Sequence, residues 1–345
     1  MSAPVPGGRR GSANPAAKAL GNQPAPGQDL NGGMSPSGQV ILATAGYDHT
    51  IKFWEVGTGQ CLKTLQHADS QVNALEISPD GQLLAACGYQ HIRMFDVLGT
   101  NPNPVVNYEG VSKNVMDVGF QEECKWMYTA GEDGTVKIWD LGMRNLSCQR
   151  IYDAHAPVNS AVLHPNQQDL ILGDQNGVVH VWNLRSDQSE QYIPQAGCSV
   201  QSVAVDSQGL HMACVTNQGT LHVWDLPSGE KNPALAEQRQ KITAHKRYGL
   251  KCKFSPDSSA LATSSADQST KLWRPKDLTH ITDLHKSGQR WVWDMAFSND
   301  SQYLFTASSD CIARLWSLAK NEVKCEYVGH SKALTCLAFR DRLVT

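Results

Sequence analysis

Short alternating stretches of apolar and polar residues recur along this chain from Val40 almost to its end, and sustained helical periodicity is nearly absent. In Gly46–Trp54, Ile51 and Phe53 alternate with Lys52 and Trp54, which predicts a β-strand entered through a tight turn at Asp48-His49. Variants of this unit end on Trp54, Phe95, Trp139, Trp182, Trp224, Trp273 and Trp316, at separations of 41, 44, 43, 42, 49 and 43 residues. A small-residue strand precedes each anchor (Ile41 to Ala45, Leu83 to Cys87 and so on). A further apolar strand precedes six of these, from Val72–Ile77 to Val292–Phe297, and the seventh example, Leu334–Phe339, stands at the C-terminus.

A period of roughly 40 to 45 residues is that of a WD-repeat propeller blade, so seven anchors predict an all-β, seven-bladed WD-repeat β-propeller over residues 39–345. The described order starts on the second strand of a blade and ends on the first strand of one. One blade is therefore expected to be completed from both ends, with Leu334–Phe339 pairing with Ile41–Ala45 and leaving no open sheet edge. Residues 1–38 hold six prolines and eight glycines with few large apolar side chains, so a disordered extension is expected there, with Met34 as a candidate internal start. The long interval before Trp273 contains the polar run 227–241, expected to be an exposed loop insertion.

Composition narrows the function. A net charge of -3 does not suit a polyanion-binding protein, so no nucleic-acid partner is expected. No apolar run is long enough for a membrane span. The ten cysteines show no CxxC pair or zinc-like spacing and are expected to be reduced thiols, several of them buried in strands. The twelve histidines show no ligand spacing either. No metal, cofactor or glycine-rich phosphate loop is expected.

Polar residues repeat with the strands: Asp48, Asp133, Asn176, Gln218, Asp267 and Asp310 lie six before a Trp anchor; Thr44, Thr129, Thr263 and Thr306 lie ten before; His67, His155, His245 and His330 precede first strands. A nucleophilic triad needs one unique cleft, whereas this set recurs blade after blade, so no catalytic residue and no enzyme is expected. Resemblance to WD-repeat proteins implies a structural tetrad instead, complete in two places: Trp54, Thr44, Asp48 with His330, and Trp273, Thr263, Asp267 with His245.

Exposed residue types that break the repeat are the candidates for binding. Trp291 and Trp293 stand on one side of a strand where sister blades carry small or aliphatic residues, and Trp is enriched at interface hot spots. Tyr89 lies in a run, Gly88–Phe95, that lacks the turn Asp and ends on Phe instead of Trp. Gln71, Asn73, Asn114 and Asn159 open first strands, with Tyr47 and Tyr248 nearby, and are expected to ring one face.

The stretches Ile41–Thr50, Ser70–Glu76, Gly88-Tyr89-Gln90-His91-Ile92-Arg93-Met94, His164–Gln167 and Ser265–Gln268 together closely resemble the small WD-repeat subunit of target of rapamycin kinase complexes. That resemblance implies a monomeric propeller inside a hetero-complex. It would be a non-catalytic subunit that clasps and stabilises the C-terminal lobe of the target of rapamycin kinase domain, supports companion subunits, and serves nutrient and growth signalling. Gln71, Trp291 and Trp293 fall in segments expected to face partners. The lack of a secretory segment and the reduced thiols lead us to expect a cytoplasmic or nuclear protein, with peripheral association with endomembranes as a further expectation. The alternative is a substrate receptor of a cullin-type ubiquitin ligase, since Trp182-Asn183-Leu184-Arg185 approximates a Trp-Asp-x-Arg adaptor motif with Asn in place of Asp. A G-protein β-subunit would need a helical arm before the first blade, which the prolines and glycines of 1–38 oppose.

Overall fold

The computed structural model describes residues 40–142, 146–226 and 237–341; the expectations for residues 1–38 and Met34 lie outside them. Within the described residues the chain forms seven four-stranded antiparallel sheets. Blade 1 contains β1 (Ile41–Gly46), β2 (Thr50–Trp54) and β3 (Cys61–Gln66). Blade 2 follows with β4 (Ala74–Ile77), β5 (Leu83–Cys87), β6 (Ile92–Asp96) and β7 (Val106–Tyr108). Blade 3 is built from β8 (Val115–Phe120), β9 (Trp126–Gly131), β10 (Thr135–Asp140) and β11 (Cys148–Asp153), and blade 4 from β12 (Val158–Leu163), β13 (Asp169–Asp174), β14 (Val179–Asn183) and β15 (Ser189–Tyr192). Blade 5 comprises β16 (Val200–Val205), β17 (His211–Thr216), β18 (Thr220–Asp225) and β19 (Glu237–Thr243); blade 6 comprises β20 (Gly249–Phe254), β21 (Leu261–Ser265), β22 (Thr270–Trp273) and β23 (His280–Leu284). Blade 7 has β24 (Val292–Phe297), β25 (Tyr303–Ser308), β26 (Ile312–Ser317) and β27 (Glu322–Val328), after which β28 (Leu334–Arg340) returns to blade 1.

The expected exposed loop over 227–241 needs correction, because β19 starts at Glu237 and pairs along β18 from Thr220↔Thr243 to Asp225↔Glu237. Its run EQRQKIT carries no apolar alternation before Ile242. The strand forms because β18 offers an unpaired row of backbone groups, and tertiary pairing overrides weak local propensity. The remaining part of that expectation, 227–236, lies outside the described residues.

Closure follows the expected pairing. β28 pairs with β1 from Ile41↔Arg340 to Ala45↔Cys336, so the innermost strand of blade 1 comes from the far end of the chain. The backbones approach so closely here that a Cβ on Gly46 would stand 2.1 Å from the Ala333 carbonyl oxygen, and only glycine fits. The seven inner strands form a ring in which each contacts its two neighbours.

The apolar core is divided among the junctions between blades. One cluster joins Ile51 and Phe53 of blade 1 to Leu84 and Phe95 of blade 2, and Trp54 packs with Phe305 and Leu315 of blade 7. Five further clusters fill the remaining junctions. Each large side chain buried there contributes roughly 1.5–3 kcal/mol.

Polar stitching accompanies the packing. Oδ2 of Asp117 accepts the backbone N–H of Ala161 on the next blade (3.0 Å), Ser160 Oγ accepts that of Val203 (3.3 Å), Ser202 Oγ that of Cys252 (3.2 Å), and Asp294 Oδ2 that of Leu337 (3.0 Å). Ala74 and Lys251 occupy the matching places on blades 2 and 6 and can accept nothing. On the blade that follows each of them the residue is an aspartate, and its other oxygen takes its own neighbour's N–H: Val118 on Asp117 (3.1 Å), Met295 on Asp294 (2.8 Å). Six of the seven matching inner-strand amides thus gain a side-chain partner, as burial requires.

Candidate functional site

Two hydrogen-bonded side-chain chains run through the blades. In blade 1, Trp54 Nε1 donates to Thr44 Oγ1 (2.7 Å), the threonine hydroxyl lies 2.8 Å from His330 Nε2, and His330 Nδ1 lies 2.9 Å from Asp48 Oδ2. In blade 6, Trp273 Nε1 reaches Thr263 Oγ1 (2.9 Å), Thr263 reaches His245 Nε2 (2.8 Å), and His245 Nδ1 reaches Asp267 Oδ2 (3.0 Å). Because the indole can only donate, each threonine is left to donate to Nε2, which puts the imidazole proton on Nδ1, facing the carboxylate. Burial works against ionisation of Asp48, but His330, the Thr50 hydroxyl and the Ser331 N–H outweigh it and hold the carboxyl below its ordinary range. Burial in turn pushes the His330 imidazole down, and Asp48 offsets only part of that. Asp267 is depressed further: His245, Ser269 and the Lys246 N–H overcome its burial.

Other blades vary the theme in ways the sequence reading missed. Blades 3 and 7 keep the indole-to-threonine bond (Trp139 to Thr129, 2.9 Å; Trp316 to Thr306, 3.0 Å). A cation four residues after the turn aspartate replaces the histidine: Lys137 on Asp133 (2.7 Å) and Arg314 on Asp310 (2.6 Å). The Asp-x-x-x-Lys/Arg spacing was the available signal. His180 meets Asp174 (3.0 Å) and His222 meets Thr220 (3.3 Å), each within its own blade. His155, grouped in the sequence with the tetrad histidines, has an exposed side chain beside Asp153 and joins no tetrad: Leu172 and Asn176 stand in blade 4 where the tetrads have threonine and aspartate.

The candidate binding residues gather at the end of the strands where inner strands begin. Six inner strands carry a β-bulge there, at Met116, Asn159, Gln201, Leu250, Trp293 and Thr335. Asn73 occupies the corresponding position before β4, and all seven residues line one cavity of about 120 Å³ at the mouth of the central channel. A bulge re-aims a side chain out of the pleat, which is why six of these seven positions present themselves together. Asn73, Asn159 and Trp293 were singled out from the sequence; Met116, Gln201, Leu250 and Thr335 were not, since a bulge has no residue-type signature.

The face is divided. Blades 6, 7, 1 and 2 place aromatic residues on it: Tyr248 (54% exposed), the half-buried Trp291 and Trp293, Tyr47 (45%) and Tyr89 (48%). The two indoles lie with ring centroids 5.6 Å apart at 44°, and Trp293 Nε1 donates to Ser309 Oγ (2.7 Å). Trp291 sits just before β24, so only Trp293 belongs to the strand. Blades 2 to 4 present amides as well. Asn73 donates to Asn114 (3.2 Å), Asn114 to Glu132 (2.9 Å), and Asn159 to the Val200 carbonyl (2.7 Å), while Gln71 is half-buried beside them in sequence. Rigid aromatic groups with little conformational entropy to lose suit protein binding better than self-satisfied amides.

Deeper in the channel, Glu76, Asp117, Asp294, Lys251 and Lys253 share one cavity, and Lys251 Nζ stands 3.6 Å from Asp117 Oδ2. Burial, with Asp117 and Asp294 adding to it, pushes the Glu76 carboxyl up to about 7 against the opposing lysines. Among the described residues no cluster of three or more His, Cys, Asp or Glu side chains could hold a metal ion. No helix there is long and apolar enough to cross a membrane.

The family described as WD domain, G-beta repeat matches residues 30–55, 59–96, 102–140, 146–183, 236–274 and 277–317. The chain is 51% identical over 320 residues to the Mus musculus protein named target of rapamycin complex subunit LST8, covering 90% of this chain and 98% of that one. It is 47% identical to the Drosophila melanogaster protein LST8 homolog (90% and 99% covered). With the Saccharomyces cerevisiae target of rapamycin complex subunit LST8 it shares 44% identity (88% and 99% covered).

Proposed function

This chain belongs to the LST8 family of WD-repeat β-propellers, and on that premise we propose that it is a subunit of a target of rapamycin complex. It acts there as a non-catalytic scaffold that binds and stabilises the C-terminal lobe of the kinase domain and supports companion subunits in nutrient and growth signalling. It works as a single propeller within the hetero-complex, in the cytoplasm and at the periphery of endomembranes.

The observation that carries this reading is the pair Trp291 and Trp293. No repeat position requires either indole, the pair stands on the aromatic side of the face, and its rings are only half-buried. A kinase lobe seated there would bury both rings, with Gln71, Tyr47, Tyr89 and Tyr248 at the rim and Asn73, Asn114 and Asn159 on the amide side completing the contact. Hot-spot indoles of this kind cost 2 kcal/mol or more on truncation. The test is a Trp291→Ala, Trp293→Ala double variant expressed in cells and assayed by co-precipitation of the target of rapamycin kinase. Recovery is expected to fall at least roughly tenfold, for about 1.4 kcal/mol or more lost, with the purified variant's melt nearly unchanged. Undiminished recovery overturns the assigned face.

A further inference from the structure

A third tryptophan lies outside the anchors and away from the aromatic face. Trp126 opens β9, at the opposite end of the strands from Trp291 and Trp293. It is half-buried, and its indole N–H donates to no described residue. With Ile138 of β10 and Leu184, just past β14 on the next blade, it forms the apolar floor of an open groove of about 320 Å³ between blades 3 and 4. Gln167 and Gln168 supply amides at one side, and two arginines, Arg150 and Arg185, stand at the other.

The two arginines are not equivalent. Arg150 is committed: it donates to the Leu184 carbonyl and to Asp187 (2.7 Å), and its guanidinium lies 5.3 Å from the Trp182 ring centroid. Asp187 is committed too, since it also accepts the Trp182 indole N–H (2.9 Å). The Arg185 side chain is exposed and makes no hydrogen bond or ion pair among the described residues. The repeat itself makes this charge stand out. Glu55, Asp96, Asp140 and Asp225 follow four of the other anchors, but here Asn183 takes that place and Arg185 follows two residues on. Asn183 spends its carbonyl oxygen on the backbone N–H groups of Arg185 (3.0 Å) and Ser186 (2.8 Å). The groove therefore combines an apolar floor with one uncompensated positive charge at its rim.

We infer that this groove is a second docking site, for a partner's peptide segment in which a bulky apolar side chain stands next to a carboxylate. The apolar side chain enters over Trp126, Ile138 and Leu184, and the carboxylate pairs with Arg185, whose planar fork accepts such a group bidentately. A volume at the lower end of the roughly 300–1,000 Å³ of ligand pockets holds one or two side chains, and the groove's open side admits the continuing chain. A basic segment is disfavoured by Arg185 itself. The inference is independent of the kinase contact, because the two surfaces lie at opposite ends of the strands.

The experiment is fluorine NMR on the full chain carrying 5-fluorotryptophan at its nine tryptophans, with the Trp126 resonance assigned from a Trp126→Phe variant. The probes are pools of acetylated tetrapeptides that pair Leu, Phe or Trp with Asp or Glu, and control pools with Lys in the acidic positions. The acidic pools are expected to move the Trp126 resonance saturably and leave those of Trp291 and Trp293 in place. Arg185→Glu should weaken the response at least tenfold and Arg185→Gln less, with unchanged melts, and the Trp291→Ala, Trp293→Ala variant should respond as the parent does. An unmoved Trp126 resonance, an equal response to the basic pools, or full binding by Arg185→Glu overturns the proposal.

Discussion

Blades 1 and 2 share one packed junction yet are held together differently. In blade 1 a buried histidine, His330, links Thr44 to Asp48 across most of the chain's length. In blade 2 the matching histidine, His67, is fully buried, spends Nδ1 on the Ser70 carbonyl (3.1 Å), and has no partner for Nε2. Ala85 and Phe95 replace the threonine and the indole there, and both are completely buried. Apolar packing is therefore enough to build a blade whose four strands are continuous in sequence. A polar tetrad also stands in blade 6, whose strands are continuous, so it does not by itself mark closure; in blade 1 the same bonds fasten two distant parts of the chain to each other.

The sharpest way to break this comparison is to remove β28 by deleting residues 333–345. Blade 1 then loses its inner strand and leaves the ring with open edges, and cooperative unfolding by calorimetry is expected to disappear; an unchanged transition would refute closure by this strand. Next in size is His330→Ala, which strands Thr44 and Asp48 without their partner and should cost about 2–4 kcal/mol in urea unfolding. His67→Leu, which removes an unsatisfied group, should change stability by less than about 1 kcal/mol in either direction. Equal losses for the two variants would erase the distinction between the blades.

Titration separates the regions further. Burial, aided by Arg93 and His91, depresses His67 to about 4 from the usual 6.5. The folded state thus binds fewer protons than the unfolded one, and this contribution is complete above pH 6.5 and lost as pH falls towards 4. Glu76 has the opposite sign: with its carboxyl raised to about 7 from 4.5, its contribution is complete below pH 4.5 and fades as pH rises through 7. Each effect should be on the order of 1–3 kcal/mol. Urea midpoints measured against pH should therefore lose their acid-side slope in His67→Leu, while Glu76→Gln should gain stability at pH 7–8.

The smallest effect concerns the turns. The residue after the turn position has positive φ in all seven blades, as Gly134, Gly177 and Gly219 in three and as His49, Gln90, Gln268 and Cys311 in four. His49→Gly should relieve the left-handed strain and raise stability by roughly 0.5–1 kcal/mol, less the entropy glycine loses on folding.

Anchors, strand order and closure could be read directly from spacing, because one unit is written seven times and each copy corroborates the rest, whereas the two tetrads followed from the resemblance to WD-repeat proteins. Relations between copies were not legible. Asp117 caps Ala161 and Ser160 caps Val203 through different chemistry at one geometric position, so no residue type repeats. Lys137 and Arg314 replace a histidine that approaches from the segment before the inner strand, and only their spacing of four residues after Asp133 and Asp310 hints at it in the sequence. β19 escaped because its pairing partner, rather than its own polar sequence, makes it a strand. Of the face residues, Tyr47, Trp291 and Trp293 could be found as departures from the repeat, whereas the bulge that turns Leu250 or Gln201 towards the channel leaves no trace in composition.

The pairing of β1 with β28 also sets a timetable. A ribosome delivers Ile41 long before Leu337, so β1 waits unpaired on its inner side while the six blades between them emerge. Any nascent or truncated product that stops short of β28 displays that bare edge, which is the form a chaperone can hold and a protease can remove. β28 thus serves as the propeller's own certificate of completion.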